Sequence, residues 1–207
     1  MEEIPLFPLG RALFPDGVLH LRVFEVRYLN MIRRCIDEGK EFGVVGLLEG
    51  REVRSPEGVE KLSNAGTMAR IDAWHAPIPA LIHLRCIGTS PFELQDSRQE
   101  KFGLWMGRST PLATDSPVAI PSSLQACADA LGRVIARLQQ EGTPADAMPI
   151  CPPFRLDECG WVADRWAEML PLTALQRQHL LHMRDPQARL ERIQKYLLLQ
   201  GVLGPGA

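Results

Sequence analysis

The chain lacks any stretch that fits a membrane span or an export signal. Its longest strongly apolar run, residues 44–48, is far shorter than the ~20 residues that a membrane helix needs. The N-terminal sequence MEEIPLFPLG is acidic and broken by proline, without the basic and then apolar segments of a secretory signal. These absences predict a cytoplasmic protein with no membrane partner.

Cysteine pairs at metal-binding or redox spacing are also missing. The five cysteines are irregularly spaced and no CxxC pair occurs, which favours reduced thiols. His179 and His182 lie three residues apart on a predicted helix, but a metal site needs a third or fourth ligand at a matching spacing. We therefore expect no metal and no cofactor.

Motifs for nucleotide hydrolysis and for nucleophilic catalysis are absent from the sequence. There is no GxxxxGK[ST] phosphate-binding loop and no GxSxG nucleophile turn. Only four lysines occur, and neither Lys101 nor Lys195 follows a serine in a recognisable motif. The sequence predicts no catalytic residues and no ATPase or peptidase activity.

The charge balance provides no general attraction for nucleic acid. The formal net charge is −2 and the pI is about 6.2, so RNA binding would require a local basic patch. Arg51 with Arg54 and Arg189 with Arg192 are the candidate pairs.

With 207 residues and 45% hydrophobic content, the chain is long enough for one domain with two subdomains.

The first half of the chain carries strand patterns separated by glycine and proline. A helix is predicted over residues 24–38, ending at Gly39, and turns are predicted at residues 55–58 and 88–91. Glu25 and Arg27 are placed as a surface pair. Several short strands favour a small, closed or partly closed β structure. The predicted strands cover residues 4–9, 18–23, 42–48, 66–74, 81–87, 92–95 and 102–106.

Helical spacing begins after a proline-rich linker at residues 109–121. One helix is predicted over residues 124–138 with Ser122 or Ser123 as its cap, and a second over residues 157–170. A capping-box pattern starting at Thr173 predicts the third helix, and Asp185-Pro186 starts a last helix that ends near residue 201.

Both ends of the chain resemble the Lon protease N-terminal domain family. The opening follows the pattern LFPLxxxLFPxGxLxLxVFExRY, and the tail LPLTALQRQHLLHMRDPQARLERIQKYL is similar to the end of that domain. The segment GTMARI at residues 66–71 looks like the family's GTxAxI strand. The resemblance is nearest to free-standing bacterial proteins that consist of this domain alone.

The resemblance implies an α+β fold of two parts. An N-terminal PUA-like pseudo-β-barrel with one early helix would cover residues 1–115, and a C-terminal α-helical bundle would cover residues 116–207. It also implies a non-catalytic module that binds polypeptide, either unfolded chains or one specific client, with a separate protease as a further candidate partner.

Four residues are the candidates for peptide contact. Trp74 ends a strand beside a proline turn, where it can lie at a rim, and Arg27, Tyr28 and Met31 lie at the start of the early helix. Two alternatives stay open at this point. One is an RNA- or nucleotide-binding module, since PUA-type folds bind RNA in other proteins; the other is an enzyme that uses a cleft between the two parts.

Overall fold

A computed structural model describes residues 2–52, 60–144 and 147–204 of the chain. Within these residues the first half contains six strands and one helix, and four helices follow. The predicted turn at residues 55–58 lies outside the described residues. In chain order the first-half elements are β1 (Glu2–Leu9), β2 (Val18–Val23), α1 (Val26–Glu38), β3 (Phe42–Glu49), β4 (Lys61–Ile78), β5 (Leu81–Gln99) and β6 (Trp105–Pro111).

The six strands form one sheet whose ladder closes on itself. The strand order is β2-β5-β4-β3-β1-β6, and β6 also pairs with β5. Strand β1 is parallel to β3, and the other pairings are antiparallel. Closure is possible because β5 is 19 residues long, so that its first half pairs with β2 and its second half with β6.

The predicted turn at residues 88–91 is wrong, because β5 runs through it without interruption. Gly88 pairs with Ala69 and Pro91 pairs with Thr67, so β5 has one more residue than β4 over this interval. Such a β-bulge absorbs an extra residue, and it is one of the few sheet positions that accept proline. Glycine and proline therefore mark an irregularity in one strand, where the sequence suggested two strands.

Other boundaries also move by a few residues. Strand β4 continues to Ile78, so Pro79 ends it but Pro77 lies inside it. Strand β6 ends at Pro111, which shortens the predicted linker. Helix α1 starts two residues later than predicted, and Gly39 ends it as expected with a φ of 63°.

The described residues of the second half contain four helices, as the sequence predicted. The predicted serine cap of the first is wrong, because residues 122–124 form a 3-10 turn and Leu124 is the N-cap. The capping box of Thr173 with Gln176 and the Asp185 cap are confirmed. The helices are α2 (Gln125–Gln140), α3 (Cys159–Met169), α4 (Ala174–His182) and α5 (Pro186–Leu199).

Buried apolar residues form three clusters: one among the helices α2–α5, one between α1 and the strands, and a smaller one shared by β1, β3 and β5. Helix α1 covers one face of the sheet, with Ile32 fully buried against the strands. Helices α2, α3 and α5 contact one another, and the Trp166 indole N–H of α3 donates to the Cys127 carbonyl of α2 at 3.0 Å. Helix α4 packs on β3 and β4. The division of the chain into a β-rich part ending at residue 115 and a helical part after it stays a prediction.

Residues 10–17, the connection from β1 to β2, are held from both sides. The Thr67 hydroxyl of β4 donates to the Leu13 carbonyl at 2.7 Å. From α3, Arg165 donates to the Pro15 carbonyl at 2.7 Å, and Glu168 accepts the Phe14 N–H at 3.0 Å. Because these partners come from the sheet and from the helices, this connection fixes one to the other.

We predict that replacing glycine by alanine destabilises the fold at Gly88 and stabilises it at Gly132. A Cβ at Gly88 would lie 2.1 Å from the Phe14 carbonyl oxygen, which belongs to the held connection and cannot move easily. Gly88→Ala should lower the free energy of unfolding by about 2 kcal/mol or more. At Gly132, inside α2, the nearest atom to an added Cβ is 3.5 Å away, so the new methyl group fits. Gly132→Ala should therefore raise the free energy of unfolding by about 0.5–1 kcal/mol. Equal effects in chemical denaturation would contradict this account.

We also predict that stability falls as pH rises through neutrality. Burial raises the pKa of Glu168 from its ordinary 4.5 to about 7, opposed by the Arg165 cation and the Phe14 N–H. Because the folded chain keeps this proton to higher pH than the unfolded chain, the free energy of unfolding should drop by on the order of 2 kcal/mol between about pH 5 and 8. Asp164, with a pKa raised to about 6 by burial, acts in the same direction.

The Glu168→Gln variant tests how much of this pH dependence comes from the Glu168 carboxyl group alone. The free energy of unfolding of the variant should equal that of the wild type at about pH 5, where the wild-type carboxyl group is neutral. At about pH 8 it should exceed that of the wild type. Glu141→Gln, on an exposed position after α2, should follow the wild-type curve. A wild-type stability that increases over this pH range would overturn the assignment.

Candidate functional site

A recess of the described part of the chain lies between α1 and the strands β1 and β6. Its volume is about 700 Å³. That size is within the range of ligand-binding pockets, and it is wide enough for several side chains. Its apolar lining comes from α1, β1, β4, β5, the β5–β6 turn and β6. We call it the α1–β6 groove; its main apolar residues are Met31, Met68, Phe92, Phe102, Leu104 and Met106.

Three of these six groove residues are methionines. Met31 is buried, while Met68 and Met106 are half-buried in the wall. Methionine is unbranched and polarisable, so it fits apolar partners of differing shape and is common on surfaces that bind many ligands. The groove therefore has walls that adapt to their contents.

The rim of the groove carries both signs of charge. Arg34 and Glu38 lie one turn apart on α1 at 3.9 Å, and Lys40 approaches Glu38 at 2.7 Å. On the other side of the groove, Glu100 and Lys101 begin the turn that follows β5. Such exposed pairs contribute little to stability, and their mixed signs favour neither anions nor cations.

The turn between β5 and β6 exposes an aromatic side chain at the groove. The Gly103 N–H donates to the Glu100 carbonyl at 3.0 Å, and Phe102 occupies the third position of this four-residue turn with φ 66° and ψ 7°. Glycine or asparagine is usual at that position, because a bulky residue at positive φ costs about 1–3 kcal/mol. Phe102 is nonetheless 80% exposed, so burial does not offset the cost.

Arg27 holds this turn from beneath. It is 5% exposed, and its Nη1 donates to the Gly103 carbonyl at 2.8 Å. Its other nitrogens lie 3.1–3.7 Å from the carboxylates of Glu25 and Glu60, and Glu60 also accepts the Trp105 indole N–H. The predicted pair of Glu25 and Arg27 exists, but Arg27 is buried and Glu25 is half-buried, so it is not a surface pair.

The four residues predicted for peptide contact lie in two separate places. Arg27 and Met31 line the groove from its floor, and Tyr28 is buried beneath, stacked on Phe7 with ring centres 4.1 Å apart. Burial raises the pKa of Tyr28. Trp74 is 54% exposed near the β4–β5 turn, on a different part of the sheet.

A second candidate surface for a bound peptide is the outer edge of β2. Within residues 2–52, 60–144 and 147–204, no strand pairs with that edge. An unpaired edge accepts an added strand through its backbone groups. The Arg11 guanidinium donates to the His20 carbonyl at 2.7 Å and occupies part of this edge, which makes it a weaker candidate than the groove.

Two of the cysteines singled out in the sequence, Cys86 and Cys127, sit in inert surroundings. Burial raises the pKa of Cys86 to about 12 and of Cys127 to about 11, which keeps both thiols protonated and unreactive. All five cysteines are free thiols. In the part of the chain that the structure describes, no three His, Cys, Asp or Glu side chains group as metal ligands, and no helix is long and apolar enough to cross a membrane.

Sequence reasoning found Arg27 and Met31 but missed the groove residues that come from the strands and from the β5–β6 turn. Phe102 and Met106 stood in a predicted apolar strand piece, and Met68 on a predicted strand, without any sign that they meet α1. Gly103, an isolated glycine inside the predicted strand piece, is a signal of an irregular backbone that could have pointed to this turn.

Comparison with known proteins agrees with this architecture. Residues 3–198 match the family model for the ATP-dependent protease La (LON) substrate-binding domain. The crystal structure of a Lon N-terminal domain protein from Xanthomonas campestris is 31% identical with a TM-score of 0.71, covering 94% of this chain and 98% of that one. No curated protein matches the chain significantly.

A second solved structure is more distant. The N-terminal domain of a Mycobacterium avium complex Lon protease is 12% identical with a TM-score of 0.55, covering 94% of this chain and 97% of that one, which supports the fold alone. The family match over nearly the whole length and the 31% identity settle the relationship. This chain belongs to the Lon substrate-binding domain family.

Proposed function

We propose that this protein is a non-catalytic module that binds polypeptide substrates in the α1–β6 groove. Two observations support the proposal: the family match to a substrate-binding domain, and a groove with apolar, methionine-rich walls on the same face as α1. The groove carries the proposal, because it provides enough apolar surface for side chains that a folded protein would bury.

The chemistry of the groove suits an extended chain. Its floor takes apolar side chains, and its charged rim can hydrogen-bond to peptide N–H and carbonyl groups, which an extended segment leaves unpaired. The mixed signs of Arg34, Glu38, Lys40 and Glu100 set no requirement for a charged substrate. Unfolded clients of many sequences fit this description better than one specific partner.

The four predicted contact residues take different roles in this proposal. Met31 contacts the bound chain from the floor of the groove, and Arg27 and Tyr28 support that floor. Trp74 provides a separate apolar contact for a longer chain.

We further propose that the closed sheet is a PUA-like barrel, that α2–α5 form the helical bundle, and that a protease is the downstream partner in the cytoplasm.

The RNA-binding alternative receives less support from the arginines. Arg189 is buried and paired with Asp115 and with Asp164, the latter at 3.3 Å, so it cannot join Arg192 in a basic surface patch. Arg54 lies outside the described residues, which leaves only Arg51 of the other pair. RNA binding is retained as a competing outcome of the binding experiment.

We predict that a carboxylate placed in the groove wall weakens polypeptide binding. Met106→Glu should raise the Kd for fluorescently labelled, reduced and carboxymethylated α-lactalbumin by about tenfold, because an unpaired charge opposes apolar contact. Fluorescence anisotropy at physiological salt measures the Kd. The probe should remain intact on a gel during incubation, in keeping with a module that cuts no peptide bond.

Leu175→Glu is the matched control. Leu175 is exposed on α4, away from the groove, so this variant adds the same charge without changing the Kd. Thermal unfolding of each variant checks that the fold is intact. Equal Kd values for both variants would move the site away from the groove, and preferential, salt-sensitive binding of a short RNA would favour the alternative.

A further inference from the structure

We propose that the open edge of β2 is the docking site for an acidic, extended segment of a partner protein. The segment adds to β2 as a further strand and places aspartate or glutamate side chains on the face of the sheet opposite α1. Among the described residues, this site shares none with the α1–β6 groove. The proposal is therefore independent of the proposed function, and both sites can be filled at once.

The side chains of β2 alternate between the two faces of the sheet. Leu19 and Leu21 are buried in the cluster that includes α1, whereas His20 and Arg22 are exposed on the opposite face. A strand added beside β2 continues this alternation. Every second side chain of the added strand therefore lies next to His20 and Arg22.

Arg22 begins a row of nitrogen-bearing side chains that crosses three strands. It pairs in register with His83 of β5, and His83 pairs with His75 of β4. All three side chains are exposed, and both imidazoles can hydrogen-bond to a carboxylate. The neighbouring Arg85 is already paired with Asp72, but no carboxylate of the described residues pairs with Arg22. The row therefore presents an available cation to an incoming acidic side chain.

The backbone of this edge is oriented to accept a strand. The Gly88 N–H of β5 donates to the Gly17 carbonyl at 2.9 Å, and the antiparallel register continues along β2. Because hydrogen-bonded pairs alternate in such a ladder, the N–H and C=O groups of Val18, His20 and Arg22 point to the open edge. Only a polypeptide strand can bond to this row of groups, and only an acidic one gains from Arg22.

Arg11 makes the edge selective. Its guanidinium donates to the His20 carbonyl at 2.7 Å, which confirms that this carbonyl points outward. A neutral strand displaces Arg11 from the carbonyl and gives it nothing in return, whereas an acidic segment offers it a carboxylate. The edge is therefore closed to the unselective pairing that an open strand invites.

Two other occupants fit this surface less well. A second copy of the chain, paired through the same edge, would place cationic side chains on neighbouring strands, where like charges repel. A single-stranded RNA can contact the cations, but its backbone has no row of N–H and C=O groups to extend the sheet. The net charge of −2 also opposes a polyanion that extends beyond the row.

A labelled peptide in which glutamate alternates with threonine is the probe for this site. Matched peptides carry glutamine or lysine in place of glutamate. In fluorescence anisotropy, the Kd of the glutamate peptide should be about tenfold lower than that of the glutamine peptide and should rise with salt, and the lysine peptide should not bind. Equal Kd values for the glutamate and glutamine peptides would overturn the proposal.

A charge reversal at Arg22 tests the site itself. Arg22→Glu should raise the Kd of the glutamate peptide about tenfold or more and should allow the lysine peptide to bind. Arg133→Glu makes the same change at an exposed position of α2 and should leave the Kd of the glutamate peptide unchanged. Thermal unfolding of both variants checks that the fold is intact. Equal effects of the two variants on the Kd would remove the site from β2.

Arg11→Ala tests the selectivity of the edge. The variant should bind the glutamine peptide more tightly than the wild type does, because the His20 carbonyl is then open to any strand. The ratio of the two Kd values should therefore shrink. An unchanged ratio would show that Arg11 does not select the segment.

Methyl groups on alternate backbone nitrogens of the glutamate peptide test the strand geometry. Only every second N–H of an added strand points to β2, so one set of methyl groups should abolish binding and the other should be tolerated. If both sets are tolerated, the peptide does not extend the sheet and the proposal falls. It also falls if a short RNA displaces the glutamate peptide, or if sedimentation shows a dimer that Arg22→Glu dissociates.

Discussion

The double pairing of β5 is the constraint on which the rest of this fold depends. One edge of the strand pairs with β4, and the other pairs first with β2 and then with β6. This pairing closes the sheet and leaves the turn after β5 beside α1, where Arg27 can reach the Gly103 carbonyl. The groove exists because a strand from the middle of the chain brings these two elements together.

Buried arginines connect segments that are far apart in sequence. Arg27 joins α1 to the β5–β6 turn, Arg165 joins α3 to the β1–β2 connection, and Arg189 joins α5 to Asp115 in the linker. Each guanidinium has several donors and can serve a carbonyl and a carboxylate together. A buried ion pair adds little net stability, so we assign these arginines chiefly to fixing the position of loops.

The elements could be predicted where local chemistry decides them. The Thr173 capping box, the Asp185 cap and Gly39 at the end of α1 follow from neighbouring residues, and each is confirmed. Local reasoning was wrong at Gly88, where a glycine and proline signal was read as a turn. There the pairing of β5 with β4 on one side and with β2 and β6 on the other outweighs the local preference.

The sequence alone determined the family, the change from strands in the first half to helices in the second, and the absence of familiar catalytic motifs, because these depend on residues close together in the chain. The tertiary structure decided which side chains share the groove and that Arg27 is buried while Phe102 is exposed. Those facts depend on contacts between residues 76 positions apart, and such contacts are set by which strands pair and in what register. No periodicity within a single segment contains that information.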